Sequence, residues 1–119
     1  MSSFKRADRV GELIMAEMAD IMLKVVKDPR LQSVTITAVK VTDDLRNARI
    51  YFVEMGRDEL NEEIEAGLSK ARGFVRRELG HRLQLRLVPD IVFVHDKSFG
   101  YGNHIERLLA SIAKEESHD

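Results

Sequence analysis

The chain has 119 residues, which suits one domain burying roughly 65 % of its unfolded surface without disulfide or metal staples. Apolar residues make up 44 % and charged residues 33 %, and there is no cysteine, which excludes a disulfide framework and a thiolate zinc site. Lys and Arg total 19 against 20 Asp and Glu, and no apolar run approaches the ~18 residues of a membrane span.

Along the chain, Val10, Leu13, Ile14, Met18, Ile21, Met22 and Val25 recur at three- and four-residue steps. That spacing predicts an amphipathic helix over roughly residues 6 to 26. Asp8, Glu12, Glu17 and Asp20 interrupt the apolar positions, so the start does not read as a signal peptide, and a cytosolic protein is expected. Pro29 pushes Asp28 out of the helical region and ends the helix. In "SVTITAVKVT", Val34 and Ile36 alternate in one phase and Val39 and Val41 in the other. The shift predicts a bulge or a strand buried on both faces. "DDLRN" reads as a turn and "ARIYFVEM" as a second strand, together an antiparallel hairpin.

Residues 58 to 79 are helical in pattern, with Leu60, Ile64, Leu68, Ala71, Val75 and Leu79 as the buried stripe and Gly80 as a C-cap. "DIVFVH" is a short apolar run expected to be a buried third strand. "DKSFGYGN" reads as a loop, and Ile105, Leu108, Leu109 and Ile112 predict a last short helix, capped by Ser98 or Asn103, before a polar tail of about residues 114 to 119. The order α-β-β-α-β-α gives a single α+β domain spanning residues 1–119, a three-stranded sheet with helices packed on it. If the second and third strands are parallel, their crossover is expected to be right-handed.

Charge is segregated within the neutral total. Residues 54 to 65 hold Glu54, Asp58, Glu59, Glu62, Glu63 and Glu65 against Arg57, whereas Lys70, Arg72, Arg76, Arg77, Arg82 and Arg86 face only Glu78. Such a dipolar surface steers charged partners, although a charge run is often only a solvated face. Gly73 sits in the middle of the basic stretch. At 100° per residue it falls nearly opposite the apolar stripe, with Lys70, Arg76 and Arg77 within roughly 60° of it. A glycine there exposes bare backbone to a ligand, lets the helix kink, or is a tolerated flaw costing ~1 kcal/mol.

Other constellations are weaker. His81, His95, His104 and His118 lack metal-ligand spacing, so no metal site is expected. Asp43 and Asp44 fall at a turn, where Asp accepts backbone hydrogen bonds, and no nucleophile–base pair exists, so no catalytic residue is assigned and no enzyme is expected. "GYG" at 100 to 102 lacks the third glycine of a dinucleotide fingerprint, so no cofactor is expected. Arg30 either caps the first helix's carbonyls or joins a basic face, and Lys5, Arg6 and Arg9 oppose the first helix's dipole unless a partner supplies negative charge. Aromatic residues are only 6 %, which favours phosphate contact over base stacking.

"RADRVGELIMAEMADIM", "DPR", "VTITAVKVTDDLRNARIYF", "LSKARGFVRRELGHRLQLRLVPDIVFVHDKS" and "IERLLASI" together resemble the bacterial ribosome-binding factor A family over essentially the whole chain. The resemblance implies a type II KH-like fold in which a helix–kink–helix replaces the Gly-x-x-Gly loop. Ala71-Arg72-Gly73 matches the kink. It also implies binding to the immature small ribosomal subunit through its rRNA and help in its maturation and rRNA processing. The RNA-binding residues expected on that basis are Lys5, Arg6, Arg9, Arg30, Lys70, Arg72, Gly73, Arg76, Arg77, Arg82 and Arg86, in a cytoplasmic monomer with no membrane contact and no small-molecule substrate. The tail departs from a basic extension, since it carries Glu115, Glu116 and Asp119. The rival reading is a protein-interaction module docking an acidic partner, with RNA binding incidental.

Overall fold

A computed structural model describes residues 2–57 and 59–98, with backbone only for residues 2–4 and Val25. The expected last helix, the glycine loop at 100 to 102, Asn103 and the polar tail lie outside the described residues. Within them the order is α1 (Ser2–Asp20), β1 (Val34–Val41), β2 (Asn47–Glu54), α2 (Glu62–Leu83) and β3 (Asp90–His95). The sheet order is β1-β2-β3, with β1 antiparallel to β2 and β2 parallel to β3. The parallel pair is possible because α2 supplies the crossover that parallel neighbours require.

The first helix ends earlier than its apolar spacing predicts. After Asp20 the backbone widens into a π turn, Ile21–Val25, closed by a hydrogen bond from Val26 N to Ile21 O at 3.0 Å. Ile21 continues the buried stripe of Ile14 and Met18, while Leu23, on the opposite face, is 82 % exposed. Asp28 is extended, as Pro29 demands, and its carboxylate accepts from Arg30 N to start the short 3₁₀ turn Pro29–Leu31.

The phase change in β1 is a bulge. Ile36 pairs with Phe52 and Ala38 with Tyr51, so Thr37 is the extra residue. Before it, Ile36 shares the helix-covered face; after it, Val39 and Val41 do. The hairpin turn is closed by Thr42 and Asn47, and Leu45 takes a left-handed φ of 62°. Asp44 Oδ1 accepts from Thr42 Oγ1 at 2.7 Å and from Arg46 N at 3.0 Å, which holds its carboxyl below the ordinary carboxylate value. That is the structural role of a turn aspartate.

Two apolar clusters join the layers. Val10, Ile14, Met18 and Ile21 meet Ala48, Ile50, Ile91, Val75 and Leu79 in one. Leu31, Phe52, Ile64 and Leu68 form the other. His95 stands beside the second cluster, its ring edge-on to Phe52 at 5.7 Å between centroids. Both of its ring nitrogens are buried without a hydrogen-bond partner among the described residues.

Candidate nucleic-acid interface

The interface is organised by α2. Asn61 caps it by accepting from Glu63 N at 3.0 Å, and Glu62, Glu63 and Glu65 occupy the first turn. His81 and Arg82 lie in the last turn. Acid first and base last is the order that complements a helix dipole, and it accounts for part of the charge segregation. The dipole effect fades within a turn of either end, so it does not account for Lys70, Arg72 and Arg77 in the middle.

Helical backbone continues unbroken from Glu62 to Leu83. The expected kink site, Ala71 and Gly73, thus lies within one continuous helix. The reason is packing: Ile64, Leu68, Val75 and Leu79 are all buried on one continuous stripe, with Ala71 half-buried between them. Leu60 precedes the helix and is 42 % exposed, so the buried stripe begins at Ile64. Gly73 is exposed, and a Cβ built there meets nothing within 4 Å. Gly80 is not the C-cap. Gln84 takes the left-handed cap conformation instead, at φ 50°. A Cβ on Gly80 would stand 2.7 Å from Val88 Cγ2, so that glycine serves the close return of the chain toward β3.

The expected cations separate into two kinds. Arg82 turns inward. It donates to Asp20 at 2.6 Å, Glu17 at 3.1 Å and Glu78 at 3.1 Å. Those carboxylates, Asp20 first, raise the guanidinium pKa further above its ordinary value. Asp20 also holds Lys24 at 3.0 Å, so the three acids outnumber the two bases. Arg82 thus belongs to a net acidic locale, because it projects almost onto the apolar stripe where α1 meets α2.

Arg30 forms a bidentate pair with Asp28, with Nη2 to Oδ2 at 2.7 Å and Nε to Oδ1 at 3.0 Å. The pair sits against Gly67 of α2. Arg30 is therefore neutralised at the junction and is not a carbonyl cap of the first helix. Arg76 donates from Nη2 to Val88 O at 2.9 Å and from Nε to Pro89 O at 3.1 Å, with Asp90 at 3.9 Å. It fastens the loop ahead of β3, so truncating it disturbs more than surface charge.

Lys70, Arg72, Arg77 and Arg86 are exposed and have no side-chain hydrogen bond or ion pair within 4.0 Å among the described residues; so are Lys5, Arg6 and Arg9 on α1. Lys70 flanks a shallow cleft with Lys27, Asp28, Gly67, Ala71 and Phe74. Arg72 lies on the other flank, beside Val92 and Phe93. Sequence spacing alone did not separate Arg76 and Arg82 from the rest, because their partners come from the loop before β3 and from α1.

Among the described residues, no group of His, Asp and Glu is placed to hold a metal ion, and no helix is long and apolar enough to cross a membrane. A three-stranded mixed sheet backed by two helices, with a cationic helix face around an open glycine, is a small KH-like domain in its architecture. The chain belongs to the family described as "Ribosome-binding factor A", whose sequence profile matches residues 6–109. A relative of that name from Syntrophus aciditrophicus is 55 % identical over 119 residues, covering 100 % of this chain and 97 % of its own. The crystal structure of ribosome-binding factor A from Thermus thermophilus superposes with a TM-score of 0.64 at 21 % identity, over 75 % of this chain and 94 % of its own. A homology model of the Thermus thermophilus protein, fitted into a cryo-electron microscopy map of its 30S complex, gives 0.54 at 22 % identity, over 69 % and 90 %. At these identities the structural likeness establishes the fold.

Proposed function

We propose that this protein is a non-enzymatic assembly factor that binds the immature small ribosomal subunit through its rRNA and assists its folding and processing. It acts in the cytoplasm as a monomer, without cofactor or small-molecule substrate. The observation that carries the reading is the division of labour on α2. Arg76 and Arg82 are spent on the fold, whereas Lys70, Arg72 and Arg77 stay exposed around the open backbone of Gly73. Cations held free of internal carboxylates are suited to phosphate oxygens. Lys5, Arg6, Arg9 and Arg86 extend the same chemistry to α1 and the loop. A factor of this kind acts by population shift, favouring the RNA conformer that it binds better.

Family membership and the 30S complex of the Thermus relative support this assignment. The test is chemical footprinting of small-subunit precursors with and without the protein, alongside Lys70→Ala/Arg77→Ala. Protection of defined rRNA positions by the native chain, lost in the double variant, is the expected result. Protection unchanged by the variant moves the site elsewhere. No protection at all, with binding to a ribosomal protein instead, favours the protein-docking alternative.

A further inference from the structure

The face of the sheet away from α1 and α2 carries its own charge. Register places Lys40 of β1 directly opposite Arg49 of β2, and Arg49 beside Val92 of β3. Both cations are exposed, and Val92 is 43 % exposed. Like charges directly opposite each other destabilise an antiparallel pair. Neither side chain has a hydrogen bond or ion pair among the described residues that would offset this. The carboxylate nearest by register, Asp90, shares this face by alternation and lies 3.9 Å from Arg76. At the far end of the face Asp96 accepts from Thr37 Oγ1 at 2.6 Å. The hairpin turn beside Lys40 adds Arg46, exposed, while Asp44 is occupied by Thr42 and the Arg46 backbone.

Two residues along from Arg49 on the same face stands Tyr51, half-buried, between small Ala38 and Val94. A strand surface with an aromatic ring and flanking cations is the chemistry that receives unstacked bases and their phosphates. A double helix offers no free bases to such a surface. We propose that this sheet face is a second RNA surface, which takes a single-stranded RNA segment across Lys40, Arg49 and Tyr51. The proposal rests on the RNA-binding reading above and adds a site on the opposite side of the molecule. Occupying both faces would let one copy hold a structured and an unstructured RNA segment together.

The experiment measures binding of a short fluorescein-labelled oligouridylate, and of a duplex of the same length, by anisotropy across a salt series. Lys40→Ala/Arg49→Ala is expected to weaken oligouridylate binding about tenfold at low salt and to flatten its log–log salt slope by roughly 1.4. Tyr51→Leu should weaken it about fivefold or more, and Tyr51→Phe should restore it. Duplex binding should hold in all of them and fall in Lys70→Ala/Arg77→Ala, which should keep oligouridylate affinity. Lys40→Glu supplies the control for folding: an unlike cross-strand pair should leave melting equal or higher while oligouridylate affinity drops. Native-like oligouridylate affinity in Lys40→Ala/Arg49→Ala and Lys40→Glu overturns the inference while leaving subunit binding intact. So does a variant that loses affinity only for subunits carrying ribosomal proteins, since the face then serves a protein. A native chain that neither binds RNA nor sediments with precursor subunits overturns the RNA-binding reading itself.

Discussion

Arg82 of α2 donates to Asp20, the last residue of α1, across 2.6 Å. The two helices are thereby fastened at their C-terminal ends by a cation that also holds Glu17 and Glu78. Removing it leaves three carboxylates facing one another. Arg82→Ala should lower the melting temperature by several degrees and leave RNA affinity nearly unchanged. Arg82→Lys should recover only part of the stability, because an ammonium cannot match a fork of donors. Thermal melts read beside rRNA binding check both halves.

Two glycines of one helix should respond oppositely to alanine. Gly73 has open space and an ordinary helical backbone, so Gly73→Ala should stabilise by ~0.5–1 kcal/mol. Subunit affinity in that variant reports separately whether RNA backbone comes close to the bare Cα. Gly80→Ala meets Val88 Cγ2 at 2.7 Å, in a loop that Arg76 holds. It should cost ~1 kcal/mol net, since overpacking exceeds the helix-propensity gain. Denaturant melts of the pair would expose an error if both shift the same way.

The phosphate-facing cations should be separable from the structural ones by salt. Lys70→Ala/Arg77→Ala should flatten the log–log salt slope of rRNA binding by roughly 1.4–1.8 and move stability by no more than ~0.5 kcal/mol. Arg76→Ala should do the reverse, with a clear loss of stability from two unmet carbonyls and little change in slope. An unchanged slope in the double variant, with melting intact, would remove this face from the RNA site.

Acid should loosen the two junctions together. The Arg82 hydrogen bond, then Lys24, holds Asp20 below its ordinary 3.8, and the Arg30 hydrogen bonds do the same for Asp28. A folded-state pKa below the unfolded one means that ionisation favours the native state. That contribution is complete above the unfolded value of 3.8 and disappears as pH falls through the lower folded values. Melting should therefore be flat in this respect near neutrality and fall below about pH 4. Asp20→Asn and Asp28→Asn should each be less stable near neutrality and less sensitive to acid, in melts recorded from about pH 3 to 7.

His95 places two unpartnered nitrogens beside Phe52. His95→Phe should keep the edge-to-face packing and remove the buried polar atoms, stabilising the domain by ~1 kcal/mol. A destabilised variant, by calorimetry, would mean that the ring has a partner beyond the described residues.

The strands, the bulge and the buried stripe of α2 were legible because each is a local pattern: β-branched density, a phase slip between Ile36 and Val39, and apolar residues at helical spacing. The π turn was not legible, since nothing in "IMLKV" marks an extra residue per turn. Gly80 reads as a cap in sequence because a C-cap and a close neighbour ask for the same residue, and Val88 lies eight positions away. The cationic face was half legible. Helical projection put Gly73 and Lys70 outward correctly, yet the fates of Arg76 and Arg82 depended on carbonyls and carboxylates from other elements. The site beyond geometry rests on partners that a single chain does not contain.

The bulge at Thr37 has a further effect on how this protein meets copies of itself. β1 is the border of the sheet, and a regular border strand offers its spare N–H and C=O groups to any passing strand. An extra residue in mid-strand breaks the spacing of that row and twists it, so no second copy can extend the ladder along its length. The same inserted residue that sends Val39 and Val41 inward therefore also acts, with the exposed Lys40 of the same strand, against edge-to-edge stacking when the protein is concentrated.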